Sequence, residues 1–402
     1  MRIIVHLDLD TFFVSCERLL NPKLVGRPVI IGGTTGRGIV STCSYEARKF
    51  GIHGNMSMRL AKQLCPEAVV IKGNSGIYGK FSKAVTEIIK EASPLYEKAS
   101  FDEFYIDMTG MDKYFGTIQW AKELRQKIIK ELRLPLSMGI SINKVVAKVG
   151  TGQAKPNGFI SIEKGSERDF LSPLSLKKIP GVGPETFFKL RDMGAERVKT
   201  VQEMPKRLMH SAFGENGLTI WNRCHGLDTT PVIQYHERKS IGLERTFEKD
   251  TIDIEKMKSL VIAMAENLAM QLRNGTKLTS VVTVRIRYAD LSVFSKQKRI
   301  SYTSNDHILI AVVKDLFERL YERRQMIRLI GVRYGGLVHG GHQISMIDDT
   351  EEMCNLYQAM DHVRKRFGQD AVKRAVAMGS NHIGGMNPFN GEPPWIPAHR
   401  RA

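Results

Sequence analysis

Asp102 and Glu103 stand side by side in "ASFDEFYID", residues 99–107, among Phe101, Phe104, Tyr105 and Ile106. The aromatic and β-branched neighbours mark a strand with a buried face. Neighbouring side chains of a straight strand point to opposite faces, so one of the two acids would enter the core. A fold that holds this segment either leaves one acid merely solvated or bends the strand near Ser100–Glu103. A bend lets both carboxylates converge on a cation.

A second acidic segment opens the chain. "RIIVHLDLD" reads as a strand with Val5, Leu7 and Leu9 on one face and His6, Asp8 and Asp10 on the other. Asp8 sits where the apolar run is ending, a usual place for a catalytic group in a sheet domain. If the two strands are neighbours, Asp8, Asp102 and Glu103 can meet. Hard oxygen ligands of this kind suit Mg²⁺, and two such ions roughly 3.5–4 Å apart drive in-line phosphoryl transfer. Acids at strand ends are also commonly just solvated, and Asp10 and Asp107 read as structural.

Around these segments the pattern is that of an α+β, multidomain chain. Residues 80–92 and 117–132 are spaced as amphipathic helices, and residues 134–142 as a strand. From about 166 to 232 the chain turns to short helices punctuated by "IPGVGPE". β character returns in "TSVVTVRIRYADL", where Val282, Val284, Ile286 and Tyr288 alternate with Thr283, Arg285 and Arg287. A helix over about 307–324, a strand over 327–338 and two helical pieces within about 349–378 follow. The Gly/Pro-rich end, from residue 384, is expected to be disordered.

Sixty Lys and Arg against 42 Asp and Glu give a net charge of +18. Such an excess points to a polyanionic partner, most often nucleic acid, with a solubilising surface, or an anionic membrane surface, as the plainer reading. The basic residues Lys277, Arg285, Arg287, Lys296, Lys298 and Arg299 crowd one β-rich region against a single acid, Asp290. The five cysteines form no CxxC pair, which argues against a zinc finger and a disulfide framework. The acidic start is no signal peptide, and the most apolar helical run is broken by Glu266 and Asn267. The expectation is a reduced, cytoplasmic setting.

Two further stretches suggest a phosphate pocket. "STCSYEARKFGI", residues 41–52, looks like a helix start that Ser41, Thr42 or Ser44 can cap, with Tyr45 and Arg48 on one face. In "SINKVVAKVGTGQAKPNG", a helix precedes a Pro-Asn-Gly turn, and Lys155 lies at its edge. An Arg and a Lys aimed at a triphosphate would complement metal ions. Taken singly, each is more simply a solvated surface charge.

"LDLDTFFVSCE", "SYEARKFGI", "SFDEFYID", "GISINKVVAKVGTGQAKPNG" and "IPGVGPETFFKL" occur in one order. As a set they resemble the Y-family DNA polymerases, the translesion enzymes, nearest the bacterial DNA polymerase IV group. "NLYQAMDHVRKRFG" in the tail is closer to the UmuC branch. The resemblance covers roughly residues 1–345.

The resemblance implies a right-handed polymerase. Residues 1–10 and 75–165 would be the palm, 11–74 small fingers, 166–232 a helical thumb with a helix-hairpin-helix at 176–194, and 233–239 a linker. Residues 240–342 would be an α/β little finger, and 343–402 a tail. Asp8, Asp102 and Glu103 would be the catalytic carboxylates and, with the carbonyl of Leu9, would hold two Mg²⁺. Phe12, Phe13, Thr42, Tyr45, Arg48 and Lys155 would hold the dNTP, with Phe13 as steric gate against a 2′-OH. Gly181, Gly183, Arg285, Arg287 and Arg333 would contact primer–template DNA. Gln343, Met346 and Ile347 match a sliding-clamp peptide, though a plain linker is a close competitor. The implied activity is monomeric, low-fidelity, template-directed synthesis without proofreading. A palm-type nucleotidyl cyclase and a DNA-binding scaffold with a decayed site are the alternatives.

Overall fold

The computed structural model describes residues 2–111, 116–322, 325–340, 351–368 and 371–377. The chain divides into two compact units, the first running to His236 and the second starting at Glu237.

The first unit is built on a five-stranded sheet ordered Tyr96–Lys98, Glu103–Asp107, Ile4–Leu9, Leu136–Ser141 and Phe159–Ser161. The opening strand lies at its centre, antiparallel to both neighbours. All six of its residues are buried, because both faces of the sheet are covered. On one face Val5, Leu7 and Leu9 join Phe104, Ile106, Leu136 and Met138. Helices Ser75–Ala92 and Thr117–Leu132 cover them with Val85, Ile88, Ile89, Ala121, Leu124 and Ile128. The helical spacing of those apolar positions gives each helix one inward stripe. On the other face helix Lys144–Ala154 packs against the same sheet, and Thr151 bonds His6. This second face is the polar one, and it carries Asp8.

A separate three-stranded sheet, ordered Val40–Cys43, Val29–Gly32 and Val69–Ile71, has its own small core of Ile30, Val40, Cys43, Ala47, Ile52, Met58, Ala61 and Cys65. Of the three candidate caps Ser41, Thr42 and Ser44, the structure uses Ser44. Residues 40–43 are strand, and the helix is the single turn Tyr45–Arg48, capped by Ser44, whose hydroxyl accepts from the Ala47 N–H. The strand edge holds residues 41–43, and Gly51 turns the chain at a positive φ. Short helices between Glu167 and Cys224 form a third cluster around Leu171, Leu176, Leu190, Val198 and Ile220.

The second unit holds a sheet ordered Val293–Thr303, Lys277–Tyr288, Ile327–Gly335 and Ser240–Thr251, with Val338–His339 also paired to the second of these. Helices Ile254–Asn274 and Asp306–Leu320 cover one face, where Val282, Val284, Ile286 and Tyr288 are buried as their alternation implies. Helix Glu351–Phe367 belongs to this unit as well. Its Tyr357 is 1% exposed, lies against Arg273 and His307, and accepts from the His307 N–H. Residues 384–402 lie outside the described residues.

Four of the five cysteines are buried, and none is bonded to another. Among the described residues no helix is long and apolar enough to cross a membrane.

Candidate active site

The strand does bend at the acid pair. Residues 101–102 form the bend, and the regular strand begins at Glu103. The turn is closed by the N–H groups of Ala99 and Ser100, which donate to the Glu103 carbonyl. Ser100 finishes it: its hydroxyl accepts from the N–H groups of Asp102 and Glu103 and donates to Asp102 Oδ1 at 2.5 Å. Glu103 is then the direct cross-strand partner of Asp8, so the two share a face. The Leu9 N–H donates to the Asp102 carbonyl at 3.0 Å, fixing the turn against the end of the central strand.

Burial pushes the Asp8 carboxyl up to about 7. The Lys155 ammonium opposes that rise, and Asp102 and Glu103 add to it by repulsion. Asp102 is also raised, again chiefly by burial. Lys155 Nζ lies 2.5 Å from Asp8 Oδ1, and Lys148 Nζ lies 2.6 Å from Glu103 Oε2. Among the described residues no group of three acidic, histidine or cysteine side chains is gathered tightly enough to hold an ion. The donor chemistry nevertheless fits hard divalent cations. Carboxylates in partly dry surroundings repel one another, and here two ammonium groups supply the positive charge they need.

Asp10, on the same face two residues on, is nearly inaccessible. It accepts the Tyr45 hydroxyl at 3.2 Å, the Ser137 hydroxyl at 2.9 Å and the Asn157 N–H at 2.6 Å. One carboxylate thus ties together the Tyr45 helix, a strand of the main sheet and the turn that carries Lys155. Arg48 lies over the Tyr45 ring, 4.9 Å from its centroid. Tyr45 and Lys155 therefore reach the carboxylates from two sides. Thr42 sits in the neighbouring strand, half-buried, opposite Ile31.

Phe13 is half-buried and stacks on Tyr78 with centroids 4.4 Å apart, and Phe101 meets its edge. The Tyr78 hydroxyl donates to Glu17 at 2.7 Å, which holds that ring in place. Phe12 points elsewhere: at 2% exposure it is part of the core.

The residues expected at DNA are dispersed. Gly181 has φ +90°, the left-handed region that favours glycine, and the turn is clamped by Arg223, which donates to the Pro180 carbonyl at 2.7 Å. Gly183 caps helix Pro184–Asp192. In the second unit, Arg285, Arg287 and Arg333 occupy the sheet face opposite the helices. The rest of the expected basic cluster divides. Lys296 and Lys298 alternate to the helix side, where Lys296 meets Glu322 and the Arg319 carbonyl and Lys298 lies 3.9 Å from Asp315. Lys277 pairs with Glu237. Gln343, Met346 and Ile347 lie outside the described residues.

The sequence reads Asp10 as structural, as it is, but does not give its partners, and it gives no role to Lys148. Asp10 shares its strand face with Asp8, which was the available signal. Its partners lie 35 to 147 residues away, which no local pattern reveals.

Residues 7–152 match the model of the impB/mucB/samB family, and residues 238–346 match that family's C-terminal domain. Residues 177–228 match a model described as the DNA polymerase-iota thumb domain. The chain is 35% identical over 377 residues to DNA polymerase IV of Dehalococcoides mccartyi, covering 93% of this chain and 97% of the relative. It is 36% identical over 343 residues to DNA polymerase IV of Streptococcus pneumoniae, covering 83% and 97%. Among solved structures, a Y-family DNA polymerase chimera superposes with a TM-score of 0.74 at 25% identity, covering 84% of this chain and all of that one. DinB from Sulfolobus solfataricus gives 0.58 at 26%, covering 83% and 98%. From motif order, family match and fold alike, the chain belongs to the impB/mucB/samB family of Y-family DNA polymerases.

Proposed function

We propose that the chain is a template-directed DNA polymerase of low fidelity that synthesises past damaged template bases, joining dNTPs to a primer 3′-OH. The observation that carries this reading is the meeting of Asp8 and Glu103 across the central strands, beside Asp102 and within reach of Lys155 and the Asp10-anchored Tyr45. The sheet with its three helices is read as palm, the three-stranded sheet as fingers, the helices from 167 to 224 as thumb, and the second unit as little finger.

In this reading Asp8, Asp102, Glu103 and the Leu9 carbonyl would hold two Mg²⁺. Bound there, the ions supply Lewis-acid stabilisation of phosphoryl oxygens and a lowered pKa for the attacking hydroxyl. Lys155, 2.5 Å from Asp8, would pair with the triphosphate beside the same carboxylates. Tyr45 and Arg48 grip the same phosphates, with Thr42 beside them. The Phe13 ring, backed by Tyr78, forms a wall against the sugar, and a 2′-OH collides with it. Gly181, Gly183 and the arginines of the open sheet face hold the DNA backbone, which fixes register without reading sequence. A sliding clamp as partner, a monomeric state and a cytoplasmic setting complete the proposal.

Primer extension tests it. The protein should extend a primed template with the dNTP complementary to each template base, with Mg²⁺ and not in chelator, and should not use rNTPs. Phe13→Ala should admit rNTPs while retaining dNTP use. Tight DNA binding without metal-dependent extension would instead indicate a scaffold. Nucleotide cyclisation without a primer would indicate a cyclase.

A further inference from the structure

The open face of the second sheet carries one feature that a purely DNA-gripping surface does not need. Across its four strands, Ser295, Arg285, Gly331 and Glu244 stand in one row. Strands lie about 4.8 Å apart, so Arg285 and Glu244, two strands removed, start about 10 Å apart at the backbone. Their side chains nonetheless meet at 3.1 Å between Arg285 Nη1 and Glu244 Oε1. They cross over Gly331, where the intervening strand presents no side chain. A Cβ at Gly331 would stand 2.7 Å from Glu244 Cγ and obstruct that path.

The crossing spans a trough of about 430 Å³ whose lining includes Gly242, Thr283, Ser295, Gly331 and Arg333. In the four rows from Val281 to Arg287 this face displays Arg285, Arg287, Arg299 and Arg333. Glu244 is the acid among them. Arg333 meets Ser240, a neutral partner, at 2.9 Å. The Arg285–Glu244 pair is half-exposed on both sides, and such pairs are weak and readily exchanged.

We propose that Glu244 is a built-in stand-in for phosphate: it occupies Arg285 across the gap at Gly331 and yields it to a backbone phosphate of duplex DNA. The inference rests on the reading of this face as the little-finger DNA surface. Glu244 then lowers the affinity of that surface, because each binding event must first release Arg285. It also keeps Arg285 extended over the trough, where a phosphate can meet it.

A double-mutant cycle tests this, with the full-length protein and a labelled primer–template duplex followed by fluorescence anisotropy over a salt series. Arg285→Ala should weaken binding and reduce the slope of log affinity against log salt by about one contact. Glu244→Gln should tighten binding about two- to fivefold in the parent, the size expected for releasing one exposed pair. In the Arg285→Ala background that gain should largely vanish. An equal gain in both backgrounds would overturn the proposal, since Glu244 would then act only through its general charge. No gain in the parent would overturn it as well. If Arg285→Ala changes neither affinity nor slope, the reading of this strand as a DNA contact fails first, and the inference with it.

Discussion

A single buried carboxylate does much to shape the proposed nucleotide pocket. Asp10 accepts from Tyr45, Ser137 and Asn157, so removing it frees both the Tyr45 ring and the turn bearing Lys155. Leaving such partners unsatisfied costs on the order of 1–3 kcal/mol. Asp10→Ala should therefore raise the KM for dNTP roughly tenfold, by that same cost, with DNA affinity unchanged. Steady-state incorporation at varied dNTP, beside a DNA titration, checks this; an unchanged KM contradicts it. Lys98 gives a pH dependence of its own. Burial beside Thr86 and the Phe104 ring lowers its ammonium to about 8, from 10.5. Between those values the unfolded chain binds the proton and the folded chain does not, so stability at this site rises with pH. Relative to Lys98→Met, the parent should gain stability from pH 7.5 to 9.5 in urea melts; a constant difference between the two proteins contradicts the assignment.

At the scale of elements, the C-terminal helix is held by charge as much as by apolar packing. Arg273 bonds Asp306 at 2.6 Å and Asp361 at 2.6 and 3.0 Å, linking helices 254–274, 306–320 and 351–367. Asp306 is fully buried, and Arg374 lies 3.9 Å from it while bridging to Glu266 at 2.6 Å. Breaking a buried pair by deleting one partner leaves the other charged and dry, at a cost of about 3–5 kcal/mol. Arg273→Ala should destabilise the second unit by about that amount, measured by denaturant unfolding. A loss below about 1 kcal/mol, the range of an exposed pair, would mean that solvent reaches the network.

The same scale shows what could be read in advance. Helix 117–132 was legible to the residue because its apolar positions keep one stripe. At Asp102 the adjacent acids alone leave a solvated carboxylate and a bend equally open, and it is the resemblance that points to the bend. Between Ser41, Thr42 and Ser44 the local sequence does not choose a cap; strand pairing over residues 40–43 leaves Ser44. The basic cluster over 277–299 was read as one patch. Residues 293–303 lack an apolar alternation, so nothing local shows that Lys296 and Lys298 face the helix side while Arg299 shares the face of Arg285. The ion pairs that Arg273 makes with Asp306 and Asp361 join residues 33 and 88 apart, beyond any periodicity.

For the whole molecule, a net charge of +18 and a sheet face bearing four arginines are the basis of the proposed grip on DNA, and Asp8, Asp102 and Glu103 at the end of the central strands are the proposed site of catalysis. The two properties are separable, and the separation is the most direct test. Single-turnover incorporation of a complementary dNTP should be compared for the parent, Asp102→Asn and Glu103→Gln, each with its DNA affinity measured in parallel. Loss of electrostatic stabilisation at the reacting phosphate predicts a rate lower by about 10²–10³ or more, with DNA affinity within about twofold, well under the shift expected from losing one phosphate contact. Incorporation at the parent rate by either variant would contradict the assignment of these carboxylates as the catalytic centre.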